Sequence, residues 1–504
     1  MEENKKTTSY SLKKYIVWSV VYGLLFLVGV SVFVVCRWYL DTYDFDFQGL
    51  LYVLSSPLKG TGNSTVNLVL SSCVPWALGA ALLYVAASVL GGLYLRHRVW
   101  FRRVASLLCV GILLFSLVFA VIAFGIPDYL NLLNQRTSIY EEYYVDPDKV
   151  AITAEGKPKN LIYIYLESME TTYVSKAEGG AQEDVNYLPN LTKMAYEHTF
   201  FTENTDGTLG GFHTTNGSYW TMGALLATTS GIPFSFPVEG NSMSKHETFA
   251  SGLTNLGDIL AEKGYKQEFL CGSDATFGGR RNYFEQHGNY EIFDIYTARE
   301  EGYIADDYYV WWGYEDAILY EIAKNELTEL AAGDQPFNFT MLTVDTHHVD
   351  GYRCNLCGYE YGDATSGEQL LGNVLSCADR QIQSFIDWCK EQDFYEDSVI
   401  IVTGDHHRMD KTLVAGVREY ERTIYNCYIN AAVEPAGATT GRVFTSFDIF
   451  PTTLAAMGFT IEGNRLGLGV NLFSGEQTLA EELGYAYLNA EISKFSDYYI
   501  REFS

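Results

Sequence analysis

The sequence predicts a group of about three membrane-spanning helices followed by an α/β domain built on a largely parallel sheet. Three observations carry this. Long apolar runs are confined to the first 125 or so residues. From residue 159 onward, short apolar strands alternate with helical periodicity, the pattern of a parallel sheet between helices. Four of those strands end in reactive side chains, and in open α/β sheets such strand ends gather at one edge where ligands bind.

Residues 15–36 carry no charge over 22 positions, enough to cross a hydrocarbon core. Further apolar runs cover about 66–95 and 104–125. A signal peptide accounts for one run, not for three. The patch GLLYVLSSPL (49–58) is too short to span and is expected at the membrane interface. Lys5, Lys6, Lys13 and Lys14 precede the first run, and Arg96, Arg98, Arg102 and Arg103 separate the second from the third. Both clusters belong on the cytoplasmic side, which puts everything after about residue 126 outside, extracellular or periplasmic.

Charge divides at the same place. Residues 1–135 hold 10 Lys and Arg against 6 Asp and Glu, whereas the remainder holds 24 against 56. A domain this acidic has no basic surface to neutralise nucleic-acid phosphates, so no nucleic-acid partner is expected. Any anionic substrate must be held locally, by a metal or a few arginines. Of nine cysteines, Cys36, Cys73 and Cys109 fall in the apolar runs and read as packing residues. Cys354 and Cys357 form one C-x-x-C without a second pair at zinc-finger spacing, so a disulfide involving this pair is expected, its partner undetermined.

Residues 127–158 are a polar, tyrosine-rich connector. The strand KNLIYIYLES then ends in Glu167 and Ser168. Residues 253–272 pair an amphipathic helix with a strand that runs out at Cys271–Asp274. FNFTMLTVDTHH (337–348) ends in Asp345–His348, and a helical stretch follows around 372–391. SVIIVTGDHHRMD (398–410) stops at Gly404 and delivers Asp405, His406, His407 and Arg408. Two histidines add nothing to a turn, but they do add nitrogen ligands.

Glu167, Asp405 and His406 together offer two carboxylates and an imidazole, a mixed set that suits Mn²⁺ or Zn²⁺ better than Ca²⁺. A hydroxyl nucleophile would complete such a site. The stretch 207–233 is crowded with threonines and turns into an apolar helix at Thr221, where helix N–H groups favour an anion. Composition alone does not choose one threonine.

Several segments, in order across about 159–472, resemble the phosphoglycerol transferase and lipoteichoic acid synthase family of the alkaline phosphatase (sulfatase-like) superfamily. They include NLIYIYLESME, GSYWTMGALLATTSGIP, RRNYFEQHGNYEIFD, WWGYEDAILY, MLTVDTHHVDGY, VTGDHH and FDIFPTTLAAMG. PLKGTGNSTV, in the N-terminal region, is similar to a stretch of the periplasmic-glucan phosphoglycerol transferases. The resemblance implies a sulfatase-like catalytic domain over 159–504. It makes Thr221 the nucleophile and a metal ligand alongside Glu167, Asp405 and His406. His347 would contact substrate, Arg280 or Arg281 the phosphate (Arg280 favoured), and Trp312 would line the pocket. No role falls to His407. The family commonly has a proline where this chain has Val349, so a differently shaped loop beside His347 is expected.

The implied reaction moves glycerol phosphate from phosphatidylglycerol, through a threonyl intermediate, to a cell-envelope acceptor of lipoteichoic acid or glycan type, releasing diacylglycerol. The implied cofactor is a divalent metal, Mn²⁺ ahead of Zn²⁺ or Mg²⁺, and the implied place is a bacterial cell membrane, with the bilayer supplying the donor. Three helices, where the lipoteichoic acid polymerases resemble five-helix proteins, favour single transfer over polymerisation. The rivals are a phosphoethanolamine transferase or other metal-dependent phosphodiester hydrolase of the superfamily, and an inactive membrane sensor or scaffold. A sulfatase would need Cys or Ser in C/S-x-P-x-R, which WTMGA is not.

Overall fold

The computed structural model describes residues 2–42, 63–95, 99–154, 156–236 and 248–503. The patch at 49–58, most of PLKGTGNSTV, and Arg96 and Arg98 lie outside the described residues. The chain divides into two compact units, one holding the N-terminal helices and running to Asn131, the other beginning at Leu132.

Helices α1 (Glu2–Thr42), α2 (Asn63–Leu95) and α3 (Val99–Ala123) contain stretches of 29, 24 and 23 residues long and apolar enough to cross a membrane, at Lys14–Thr42, Leu68–Gly91 and Phe101–Ala123. Leu24, Leu83 and Leu107 point outward, as helices solvated by lipid require. Two tyrosines within the bundle find backbone partners there: Tyr15 Oη donates to the Ser88 carbonyl and Tyr84 Oη to the Ala105 carbonyl, both at 2.9 Å. Arg102 lies 5.6 Å from the Tyr15 ring, which puts the start of the third apolar stretch beside the start of the first.

The second unit is organised by a six-stranded sheet. Its strands are β1 (Asn160–Leu166), β2 (Lys266–Cys271), β3 (Glu291–Phe293), β4 (Phe337–Leu342), β5 (Ser398–Gly404) and β6 (Asn426–Ile429), in the spatial order β3-β2-β4-β1-β5-β6. All neighbours are parallel except β6, which runs antiparallel to β5. The central strands are buried throughout, as expected where helices cover both faces.

Alternation along β1 sorts its side chains into two cores. Leu161, Tyr163 and Tyr165 pack with α5 (Thr221–Ser230), α6 (Leu256–Glu262) and α10 (Ile449–Ala456). Ile162, Ile164 and Leu166 pack on the other face with α4 (Pro189–Glu197), α8 (Asp316–Ala331) and α9 (Gly367–Lys390). The short helix α7 (Arg280–Gln286) closes the edge near β2 and β3. Part of the polar stretch before residue 159 joins this unit: Ile139 and Tyr140 are buried in the first core, and Ile152–Ala154 pairs with Phe459–Ile461.

Register decides where the site forms. Leu166 is level with Gly404, and Tyr165 is level with both Leu342 and Thr403. The residues that follow three adjacent parallel strands, Glu167, Thr343 and Asp405, therefore leave the sheet together. The cysteine pair resolves as a Cys357–Cys377 disulfide tying the loop after β4 to α9, with the Cys354 sulfur 3.5 Å from that of Cys357.

Candidate metal centre

The strand ends are built to crowd. A Cβ on Gly404 would lie 2.0 Å from the Met169 carbonyl, so only glycine lets β5 pass this close before Asp405. Ser168 adopts φ 53°, a left-handed conformation uncommon outside glycine and found where a site constrains the backbone. Its N–H donates to Asp405 Oδ1 at 2.8 Å and its hydroxyl to Glu167 Oε1 at 2.7 Å. The Glu167 N–H in turn donates to the Thr343 hydroxyl at 3.0 Å. Ser168 is a site residue that sequence reasoning missed; its only signal was its place beside Glu167.

Glu167, Asp405 and His406 are buried, and each offers a ligand atom within 4.8 Å of the others. His406 Nε2 lies 3.3 Å from Asp405 Oδ2 and 3.5 Å from Glu167 Oε1. His406 Nδ1 sits 2.6 Å from the His407 carbonyl. A carbonyl only accepts, so Nδ1 carries the proton and Nε2 keeps its lone pair for a metal. Asp405 Oδ2 is buried and accepts no hydrogen bond from any described residue. An orphaned carboxylate oxygen beside a second carboxylate and an imidazole lone pair is the donor set a divalent cation satisfies. These residues fit a metal.

The electrostatics agree. Burial and the neighbouring Glu167 push the Asp405 carboxyl up to about 7. Burial alone would raise Glu167 as well, but His347, His406 and the Ser168 hydroxyl bring it below its ordinary value. Burial works against the charged form of His406, and the two carboxylates more than offset it. Two carboxylates this close are in conflict unless positive charge stands between them.

Thr221 opens α5, and its Oγ1 is 3.3 Å from both Glu167 Oε2 and His406 Nε2. The approach is tight: a Cβ on Gly223 would meet the Gly217 carbonyl at 2.4 Å. The first turn of a ten-residue helix directs unpaired N–H groups at this point and favours negative charge there.

The other expected residues divide. His347 Nδ1 donates to the His348 carbonyl at 2.7 Å, and burial lowers its pKa against the pull of Glu167, so its resting ring is neutral. The Trp312 ring centre lies 4.3 Å from that of His347 and 5.5 Å from that of Phe277, tilted against both. Arg280 lies 5.8 Å over Phe277 and is buried, bonded to the Ser273 hydroxyl and the Phe277 and Asp274 carbonyls. It forms no ion pair with any described residue. Arg281 is committed to Asp294 at 2.7 Å and Glu285 at 3.1 Å. Arg280 thus keeps an uncompensated buried charge on the same chain of rings as His347. The loop after His347 turns through Asp350 and Gly351, both at positive φ.

His407 faces the other way. Its Nε2 bonds the Arg422 carbonyl at 2.7 Å and its Nδ1 the Thr214 hydroxyl at 3.3 Å. Burial and Arg422 hold it down to about 3, so it stays neutral and braces the loop. Sequence reasoning also missed Asp316, the first residue of α8, which accepts from the Val344 and Asp345 N–H groups and anchors the loop before His347.

Known proteins bear on this arrangement. Phosphoglycerol transferase I of Salmonella choleraesuis (strain SC-B67) is 29% identical over 453 residues, 86% of this chain and 54% of that protein. The protein of the same name from Shigella boydii serotype 18 is 28% identical over 472 residues, 90% of this chain and 56% of that one. The chain thus spans about half the length of the curated relatives it matches. Among solved structures, the lipoteichoic acid synthase LtaP of Listeria monocytogenes shares the fold at TM-score 0.50 and 18% identity, covering 64% of this chain and 79% of that one. The Sulfatase family profile matches residues 159–459, from the start of β1 to the strand after α10. Well over half of the chain lies in that match, and the chain belongs to the Sulfatase family.

Proposed function

We propose that the protein is a membrane-anchored, metal-dependent phosphoglycerol transferase. The observation that carries the reading is the Thr221 hydroxyl held 3.3 Å from both Glu167 and His406, beside the orphaned Asp405 oxygen. The names of the curated relatives support phosphoglycerol as the group transferred, and the apolar helices support a donor drawn from the bilayer. The catalytic domain over 159–504, led in by residues 127–158, faces the cell exterior on this reading, because Lys and Arg cluster in the sequence before the first apolar run and between the second and third.

Glu167, Asp405, His406 and Thr221 would hold the cation. A bound divalent cation, Mn²⁺ by the mixed oxygen and nitrogen donors, lowers the pKa of a hydroxyl and offsets charge on the phosphoryl oxygens. Thr221 Oγ1 attacks phosphorus, the bond to the diacylglycerol oxygen breaks, and the glycerophosphoryl group rests on Thr221. An acceptor hydroxyl, from a glycan or teichoic acid, then displaces it. The proton Thr221 gives up equals the one the departing oxygen takes. Neutral His347, its Nδ1 tied to a carbonyl and its Nε2 in no hydrogen bond with a described residue, carries that proton in one half-reaction and removes the acceptor's in the other. Arg280 holds the phosphate, and Trp312 packs beside it.

The test uses the full-length protein in detergent with labelled phosphatidylglycerol and Mn²⁺. Diacylglycerol release is expected in the wild type and is lost in Thr221→Ala and with EDTA. Release from phosphatidylethanolamine alone would replace the donor, and release unchanged in Thr221→Ala would overturn the nucleophile.

A further inference from the structure

The run Gly404-Asp405-His406-His407 is followed by an arginine for which the proposed reaction has no use. Arg408 is among the largest side chains buried in the protein, with no exposed side-chain surface. Burying a guanidinium is costly unless every direction is satisfied. Its Nε and Nη2 make a bidentate pair with Asp410, at 2.9 and 2.6 Å. Its Nη1 reaches across to the Thr346 carbonyl at 3.0 Å, one residue before His347. The Thr346 hydroxyl then donates to the Glu167 carbonyl at 2.5 Å.

The backbone of Arg408 is pinned from the opposite side. Its N–H donates to Glu170 Oε1 at 3.0 Å, and its carbonyl accepts from Arg422 Nη2 at 2.8 Å. Glu170 and Arg422 are themselves a buried bidentate pair, at 2.8 and 2.6 Å. The loops after β1, β4 and β5 are thereby cross-tied beneath the candidate centre. The tie that belongs to Arg408 alone is the one to Thr346.

We infer that Arg408 is a positioning residue: through the Thr346 carbonyl it sets the place of His347 relative to the loop bearing Asp405 and His406. The inference rests on the proposed reading of His347 as the proton carrier. It explains why the planar fork of arginine stands here, since one end must engage a carboxylate while the other spans to a carbonyl. Lysine keeps the charge beside Asp410 and cannot do both.

The test compares wild type, Arg408→Lys and the paired neutral variant Arg408→Met/Asp410→Asn, which leaves no buried charge unpaired, as full-length protein with Mn²⁺. Phosphatidylglycerol has an alkoxide leaving group that needs a proton, whereas a nitrophenyl phosphodiester does not. Both variants are expected to lose about 10–100-fold in kcat on phosphatidylglycerol, as misplaced supporting groups typically cost. On the nitrophenyl substrate, and in Mn²⁺ affinity, they stay near wild type, while amide hydrogen exchange over 343–350 quickens. Equal losses on both substrates, or unchanged exchange over 343–350, would overturn the inference. If the wild type releases no diacylglycerol, the donor reading fails, and the exchange comparison alone decides Arg408.

Discussion

Replacing Glu170 by Gln tests how much the buried framework under the site contributes to stability. Burial would push this carboxyl up, yet Arg422, followed by His407 and the Thr172 hydroxyl, holds it down at about 2 against an ordinary 4.5. That difference corresponds to about 3 kcal/mol of folding stability at neutral pH. An independent estimate agrees, because stranding one partner of a buried ion pair costs roughly 3–5 kcal/mol. A carboxyl lowered in the folded state gives stability that is full above about pH 4.5 and drains as pH falls toward 2. Glu170→Gln therefore lowers the melting temperature of the catalytic domain at pH 7 by about 5 °C, extending the size scaling of small domains to this length. The deficit narrows steadily as the pH is taken from 5 to 3. The assay is thermal unfolding of both proteins in EDTA, so that metal loss in acid does not enter. A melting temperature within 1 °C of wild type at pH 7, or a deficit that does not change with acid, would refute the reasoning.

Two further outcomes are expected. Arg280→Met lowers kcat/KM by about 10–100-fold, the worth of a charge-assisted bond to phosphate, whereas Arg281→Met changes it little because its guanidinium already serves Asp294 and Glu285; equal effects in steady-state assays would contradict the distinction. Glu268 is buried on β2 with an unbonded Oε1, and burial together with Glu326 pushes it up to about 9. A raised carboxyl favours the fold below its ordinary value of 4.5 and costs stability as pH climbs toward 9, so Glu268→Gln stabilises by roughly 1–3 kcal/mol at pH 8 and by much less at pH 5. Identical melting shifts at the two pH values would count against it.

The apolar strands were legible because both sheet faces are covered and the runs read as continuous; β1, β2, β4 and β5 were all expected. The edge strands β3 and β6 were not, since three or four residues give no usable period. Glu167, Asp405 and His406 could be read as donors from their places at strand ends. That Thr221 is the hydroxyl beside them rested on resemblance, because neighbouring threonines look alike until the helix start is placed against β1 and β5. What distinguishes Arg281 from Arg280 is its pairing with Asp294, thirteen residues away, a partner no local pattern announces. The disulfide partner of Cys357 depended on how α9 lies against its loop. Arg408 had a visible signal, a charge in a run about to be buried, but its use depends on a carbonyl 62 residues earlier.

The Ser168 amide and the Asp405 carboxylate meet at 2.8 Å although 237 positions separate them along the chain. During synthesis β1, seven buried residues at the centre of the future sheet, emerges long before either of its neighbours exists. It must wait with both edges unpaired while β4 and then β5 are made, a period of exposure in which such a strand is prone to mispair. No N-terminal fragment ending before His406 can hold the donor set, so the candidate centre cannot assemble until β5 has joined β1.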